Sequence, residues 1–157
     1  MKQKSNKIII WLLALAYAAA MLYLLFFIRY VGTPDTTDGY WQSIRSTLNL
    51  VPLRTIKMFL RQIRYIGPGD FAFRNLAGNV VMFVPFGIFL PVLFPKQRNF
   101  FRFFGTSALT IILVELLQGI TLLGSCDIDD FILNMGGILI GYVLYWIFRS
   151  RKKPVSA

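Results

Sequence analysis

Four apolar segments, each close to 20 residues long, restrict the folds that this chain can adopt. They cover residues 8–28, 76–95, 103–123 and 128–148. A helix of about 20 apolar residues is long enough to cross the roughly 30 Å hydrocarbon core of a bilayer. The sequence therefore predicts an all-α integral membrane protein, a four-transmembrane-helix bundle.

The composition agrees with a membrane location and excludes several kinds of site. Hydrophobic residues make up 56% of the 157-residue chain, which carries a net charge of +10. The basic residues flank the apolar segments, as topology signals do, so we expect no nucleic-acid partner. The chain has one cysteine and no histidine. An intrachain disulfide, a histidine-ligated zinc site and a Ser-His-Asp triad are thereby excluded, and no cofactor or metal is expected.

The first apolar segment is predicted to be an uncleaved signal anchor rather than a signal peptide. Lysines at positions 2, 4 and 7 precede it in a short N-terminal segment, residues 1–7. The run Ala18–Ala20 resembles a cleavage site, but residues 21–28 continue the apolar segment beyond it. This makes the apolar region too long for a signal peptide.

The long connection over residues 29–75 contains a basic amphipathic pattern over residues 53–66. Basic and apolar side chains recur there at separations of three and four on different faces of a helix. The basic ones are Arg54, Lys57, Arg61 and Arg64, and the apolar ones are Ile56, Phe59, Leu60 and Ile63. The pattern favours an interfacial helix with its basic side toward lipid headgroups, and a solvated basic loop is the alternative. Arg74 joins the four basic residues as a candidate contact for a phosphate or a headgroup.

The basic residues also predict the orientation. Three lysines precede the first span, three basic residues lie between spans two and three, and four lie in the C-terminal segment, residues 149–157. The turn before the fourth span has acids and no basic residue, although the long loop carries seven basic residues. Short loops rich in lysine and arginine stay in the cytoplasm. We therefore expect both termini to be cytoplasmic, and the long loop to be outside.

With this orientation, polar side chains from three spans come to one depth near the outer surface. They are Asn75 and Asn79 in span two, Glu115 and Gln118 in span three, and Asp127, Asp129, Asp130 and Asn134 at the start of span four. Ionisable groups inside membrane spans usually face the bundle interior or a wet cavity and mark function. The pattern predicts an outward-facing polar cleft.

Structural roles are the alternative for these residues. Acids in the first turn favour a helix N-terminus, which accounts for at least one of Asp127 and Asp129. Hydrogen bonds between helices would account for the polar residues within the spans. A lone Glu115 in hydrocarbon would take up a proton, whereas a Glu115 paired with an arginine such as Arg54 or Arg74 would stay charged.

Small residues and prolines in spans two and four are candidates for close helix packing. The Gly137-x-x-x-Gly141 motif is the clearest case, because such spacing lets two helix backbones approach. The full set is Gly78, Pro85, Gly87, Gly137 and Gly141.

Four motifs in this order resemble those of the VanZ-like family, over residues 47–148. They are Asn49-Leu-Val-Pro52-Leu53, Asn75-Leu-Ala-Gly78-Asn79-Val-Val-Met-Phe83-Val-Pro85-Phe86-Gly87, Glu115-Leu-Leu-Gln118 and Asp127-Ile-Asp129-Asp130-Phe-Ile-Leu-Asn134-Met-Gly136. The resemblance implies a small bacterial protein of the plasma membrane, in a family whose namesake is linked to resistance to teicoplanin, a glycopeptide antibiotic. Two positions depart from the family pattern. Leu53 stands where an aromatic residue is common, and no arginine precedes the acidic motif, where Gly124-Ser125-Cys126 stand.

Three functions are compatible with these residues. The first is a non-enzymatic protein of the cell envelope that lowers susceptibility to glycopeptides or lipoglycopeptides by binding or shielding. Its ligand could then be a lipid-linked cell-wall precursor or the lipoglycopeptide, since arginine suits phosphate. The second is an intramembrane enzyme that uses Glu115 with Asp127 or Asp130 as catalytic groups on a lipid-linked substrate, with or without a divalent cation held by oxygen ligands. The third is a small proton-coupled exporter, for which one membrane carboxylate and four spans are sufficient.

The predicted orientation can be tested at Cys126, which it puts outside or at the outer interface. A membrane-impermeant thiol reagent should label Cys126 in intact cells or spheroplasts. Labelling that requires permeabilised cells would invert the orientation and move the predicted cleft to the cytoplasmic side.

Overall fold

The computed structural model describes residues 2–27, 36–67 and 71–151, with side chains from residue 7 onward. The described residues form six α-helices: α1 (Lys2–Phe26), α2 (Thr37–Thr47), α3 (Arg54–Ile66), α4 (Phe71–Leu93), α5 (Phe100–Thr121) and α6 (Ile128–Ser150). Two short strands, β1 (Leu48–Asn49) and β2 (Cys126–Asp127), precede α3 and α6. One turn of 3-10 helix, Pro95–Arg98, connects α4 to α5.

Four of these helices are long and apolar enough to cross a membrane. The candidate spans are Lys7–Phe26, Phe71–Leu93, Phe100–Thr121 and Ile128–Ser150. The predicted fold class, an all-α membrane protein with four spans, is thus confirmed. The predicted end of the first span at residue 28 and the tail from residue 152 onward lie outside the described residues.

The long connection differs in part from its sequence-based description. Helix α3 begins one residue later than the predicted amphipathic helix and ends at the same residue. Helix α2 was not predicted, because it is short and its Asp38-Gly39 pair is typical of a turn. Thr36 caps this helix, and its hydroxyl accepts a hydrogen bond from the Gly39 amide at 3.1 Å. Helix α4 begins at Phe71, so Asn75 lies in its second turn rather than at its start.

Helices α4 and α6 form the closest helix pair, because glycines on both helices let the backbones touch. A methyl group on any of three glycines would overlap a backbone carbonyl of the other helix: Gly137 with Val80, Gly141 with Val84, and Gly87 with Ile138. All three glycines are buried. The Gly137-x-x-x-Gly141 motif is therefore the α6 side of a backbone contact.

Two other residues expected to pack helices lie on a different face of α4. A methyl group on Gly78 would meet nothing within 4 Å, so Gly78 makes no close helix contact. Gly78 and Pro85 instead line a groove beside α1. At 100° per residue they lie nearly opposite the α4 face that touches α6, which explains why Gly78 does not join that contact.

An apolar core lies between α4, α5 and α6, and α1 packs against its edge. The buried side chains include Phe83, Phe103, Ile111 and Ile138. From α1, Met21 and Leu25 join the same cluster, and the Tyr17 hydroxyl donates a hydrogen bond to the Met82 carbonyl at 2.8 Å. The large apolar side chains on the outer faces of the four long helices remain exposed, as expected of surfaces that face lipid.

The strands tie two distant parts of the chain together at one end of the bundle, where α4 and α6 begin and α1 and α5 end. They pair in parallel, Leu48 with Cys126 and Asn49 with Asp127. The segment before α3 is therefore fixed beside the segment before α6. We call this end of the molecule the acidic end, after the carboxylates described below.

A matched pair of substitutions on α6 tests the glycine contact. Gly137→Ala should lower the thermal stability of the purified protein, because its methyl group forces α4 away at a cost of about 1–3 kcal/mol. Gly136→Ala should leave stability unchanged or raise it, because a methyl group there meets nothing within 4 Å. Thermal unfolding in detergent compares the two variants. Equal melting temperatures for both would contradict the close approach of α4 and α6.

Candidate functional site

Four carboxylates are buried together at the acidic end. The exposed fractions of the side chains are 5% for Glu115, 7% for Asp127, 0% for Asp129 and 4% for Asp130. A buried carboxylate is unfavourable by several kcal/mol unless hydrogen bonds or charges compensate it, roughly as for other buried ions. The partners of these four groups therefore define what the site can do.

Asp127 is the N-cap of α6 and joins it to the segment before α3. Its carboxylate accepts a hydrogen bond from the Asp129 amide at 2.8 Å, which caps the helix. It also accepts from the Asn49 side-chain amide at 2.9 Å and from the Thr55 hydroxyl at 2.7 Å. The partners are all neutral donors. Asp127 was expected as a cap or as a cleft acid, and here it caps α6 while remaining inside the cluster.

Asp129 caps a different helix from the one on which it lies. Its carboxylate accepts hydrogen bonds from the backbone amides of Leu53, Thr55 and Ile56, at 2.5, 2.7 and 3.0 Å. These amides belong to the start of α3, where Leu53 has a left-handed backbone (φ 63°) and no side chain able to cap. The first amides of a helix need acceptors, and a negative charge there is favourable. Asp129, a residue of α6, thus fixes the start of the basic helix α3.

Asp130 and Asn79 connect α6 to α4. The Asn79 side-chain amide donates a hydrogen bond to the Asp130 carboxylate, and Asn79 is 1% exposed. Asn79 is also 3.5 Å from the side-chain oxygen of Asn75, one turn earlier on α4. The two asparagines expected in the cleft therefore lie in one chain of hydrogen bonds with an acid of α6.

Glu115 connects α5 to the same cluster. Its carboxylate accepts hydrogen bonds from the Asp127 amide at 3.2 Å and from the Asn134 side-chain amide at 3.4 Å. The contact with Asn134 is long for a hydrogen bond. The side-chain oxygen of Asn134 is buried with no partner among the described residues. Glu115 therefore bridges α5 to the beginning of α6 and to its second turn.

Gln118 lies apart from the acids. Its side-chain amide donates a hydrogen bond to the Leu25 carbonyl at 2.9 Å, so it attaches the end of α1 to α5. The side-chain oxygen of Gln118 is buried without a partner in the described part of the chain. The structure thus places Gln118 at a helix–helix contact beside the cluster.

The predicted basic row lies on the outside of this end. The side chains of Arg54, Lys57, Arg61, Arg64 and Arg74 are all exposed. On the other side of α3, Phe59 is buried and its ring meets Phe71 edge-on at 6.1 Å. Helix α3 therefore turns its apolar side to the bundle and its basic side outward, with the acids holding its first turn.

Thr55 and three backbone amides belong to this site although their residue types do not indicate it. Thr55 bonds to Asp127 through its hydroxyl and to Asp129 through its amide. The bonded partners lie more than 70 positions apart in the chain. Asn49, a member of the first family motif, is the nearest signal, because its side chain bridges Thr55 and Asp127.

The carboxylates are directed at hydrogen-bond donors rather than at a common point. Within residues 2–27, 36–67 and 71–151, no group of three or more His, Cys, Asp or Glu side chains is arranged to hold a metal ion. Asp127 and Asp129 each receive three hydrogen bonds from N–H or O–H groups. Their arrangement is that of a structural junction between helices.

Two cavities adjoin the cluster. A groove of about 510 Å³ lies between α1 and α4, and Arg74, Asn75 and Asn79 line it. A smaller pocket of about 190 Å³ lies beside Glu115, Cys126 and Asp127.

Burial, together with the Glu115 and Asp127 carboxylates, raises the pKa of the Cys126 thiol. The thiolate is the reactive form of a cysteine. The labelling rate of Cys126 should therefore still increase with pH in the range where the labelling rate of an ordinary cysteine no longer changes.

The fold and the cluster define a multi-pass helical membrane protein in which a buried carboxylate junction holds an external basic helix. The sequence profile of the VanZ/LLP1 family matches residues 14–149, and the chain belongs to this family. The resemblance to VanZ-like proteins is thereby confirmed.

A curated relative supports the same assignment over a shorter stretch. The chain is similar to Protein VanZ of Enterococcus faecium, with 37% identity over 73 residues. The alignment covers 46% of this chain and 45% of that relative, so it spans less than half of the relative's length. No solved structure matches the chain.

Proposed function

We propose that this protein lowers the susceptibility of a bacterium to glycopeptide or lipoglycopeptide antibiotics of the teicoplanin type. The observation that carries the proposal is membership of the VanZ/LLP1 family over residues 14–149. The similarity to Protein VanZ of Enterococcus faecium supports it. The protein acts in the plasma membrane, as its four apolar helices favour.

The protein acts by binding or shielding rather than by catalysis. The carboxylates of Asp127 and Asp129 each accept three hydrogen bonds, which favours a positioning role over a reacting one. What they position is α3, with its row of exposed basic side chains. Arginine binds phosphate through two parallel hydrogen bonds, so this row suits lipid headgroups or the pyrophosphate of a lipid-linked wall precursor.

The site acts on the outer face of the membrane, with both termini in the cytoplasm. Lysines and arginines in the short loops and at the termini support this orientation. In this orientation the acidic end and α3 face the side where cell-wall precursors and glycopeptides meet. The proposed polar cleft then comprises the cluster with the groove beside Arg74, Asn75 and Asn79.

An intramembrane enzyme is the second candidate, favoured by the pocket beside Glu115 and Asp127. In that case Glu115 works with Asp127 or Asp130 as an acid–base pair on a lipid-linked substrate. Product formation from a labelled lipid-linked precursor in proteoliposomes would support this candidate. The binding proposal expects the precursor to be recovered unchanged.

The carboxylate cluster provides the test of function against bundle packing. Glu115→Gln and Asp130→Asn keep volume and hydrogen-bonding capacity but remove the carboxylate. We expect both variants to accumulate in membranes at the parental level and to reduce teicoplanin resistance to that of cells without the protein. Membrane protein level and antibiotic susceptibility are measured side by side, and thermal unfolding in detergent separates a stability loss from a functional one.

The control is Asp38→Asn, which removes an exposed carboxylate in the first turn of α2. It should retain full resistance. If Glu115→Gln and Asp130→Asn also retained full resistance at normal protein levels, the cluster would serve only to hold the helices together.

A further inference from the structure

We propose that the groove between α1 and α4 binds an acyl chain of an anionic phospholipid, with the lipid phosphate at Arg74. The groove is part of the cleft in the proposed function, but this inference stands without the antibiotic-related role, because it concerns a lipid of the surrounding bilayer. The groove has a volume of about 510 Å³. That size lies within the range of about 300–1,000 Å³ that is usual for ligand sites.

The length of the groove matches one leaflet of a membrane. On α4 its lining runs from Arg74 to Pro85. Eleven helical steps of roughly 1.5 Å give a length of about 16 Å. Half of a hydrocarbon core of about 30 Å is nearly the same distance. A chain lying along this groove would therefore extend from the membrane surface to the middle of the bilayer.

The one charged side chain among the described residues that line the groove lies at one end of it. Arg74 and Asn75 lie at the start of α4, and Arg74 is exposed. Farther along, the lining comes from both helices and is mainly apolar, with Ala20 on α1 and Met82 and Pro85 on α4. The Tyr17 hydroxyl at this end is bonded to the Met82 carbonyl. This arrangement suits an amphiphile with a charged head and one extended hydrocarbon chain.

Gly78 keeps the middle of the groove open. It is exposed, it lines the groove, and a methyl group added to it would meet nothing within 4 Å. A large side chain at this position would therefore extend into the groove. The same property makes position 78 a probe of occupancy.

The charge of the lining favours an anionic lipid over other occupants. Arg74 contributes a positive charge, and no acidic side chain is among the described residues that line the groove. Basic residues near a membrane surface attract anionic headgroups by about 1 kcal/mol each. A second copy of the chain packed into the groove is treated below as a result that overturns the proposal.

The occupant would also contact the carboxylate cluster indirectly. Asn79 lines the groove and donates its side-chain hydrogen bond to Asp130. A lipid seated in the groove would thus lie against a residue that connects α4 to the acidic motif of α6.

Native mass spectrometry of the detergent-purified full chain tests the proposal with added phosphatidylglycerol and, separately, phosphatidylcholine. The parent should retain phosphatidylglycerol in preference to phosphatidylcholine. Gly78→Leu should abolish this retention, and Gly105→Leu should not, because Gly105 is an exposed glycine of α5 with the same open surroundings. If Gly78→Leu does not accumulate, Ala20→Leu blocks the groove from the α1 side, with Ala19→Leu as its control.

Removal of the charge tests the position of the phosphate. Arg74→Gln should reduce the preference for phosphatidylglycerol over phosphatidylcholine about fivefold, whereas Arg102→Gln on α5 should leave it unchanged. Equal lipid retention by the parent and the groove-filling variants would overturn the proposal. It would also be overturned if filling the groove converted a dimer to a monomer without changing the amount of bound lipid.

Discussion

The carboxylate of Asp129 at the start of α3 is the contact on which the acidic end depends. Two groups that would each be unfavourable alone meet here: a fully buried carboxylate and the uncapped amides of a helix start. Leu53 cannot cap α3, because its side chain has no acceptor and its backbone is left-handed. One contact therefore satisfies both needs, and it attaches the external basic helix to the fourth span.

The other polar contacts extend this junction to the remaining spans. Asp127 accepts a hydrogen bond from the segment before α3, and Asp130 accepts one from Asn79 of α4. Glu115 connects α5 to the start of α6 by accepting a hydrogen bond from the Asp127 amide. The glycine contact is a condition for this arrangement, because it brings α4 close enough for Asn79 to reach α6. The carboxylates thus organise four helices around one point and leave the basic side of α3 exposed. This arrangement suits the proposed role, in which α3 presents cations to headgroups or lipid-linked phosphates.

Periodicity and composition predict those parts of the structure that depend on neighbours in the sequence. The four spans, the amphipathic pattern of α3 and the capping role open to Asp127 all follow from residues within a few turns of one another. The contact between Asp129 and α3 joins residues more than 70 positions apart through backbone amides, which have no residue-type signal. Helix α2 is short and contains an Asp38-Gly39 pair that is typical of a turn. The groove at Gly78 depends on how α1 packs against α4. Gly78 was expected to pack helices because helical spacing separates the two faces of α4 but does not indicate which face meets α6.

Hydrogen–deuterium exchange at the start of α3 tests the central role of Asp129 most directly. An Asp129→Asn variant places an amide group against the three backbone donors and removes the charge that they share. The account predicts that the amides of Leu53, Thr55 and Ile56 exchange about tenfold faster or more in this variant, since an unsatisfied buried hydrogen bond is worth about 1–3 kcal/mol. An Asp38→Asn control should leave them unchanged. Unaltered protection of these amides in Asp129→Asn would show that α3 is held by other contacts.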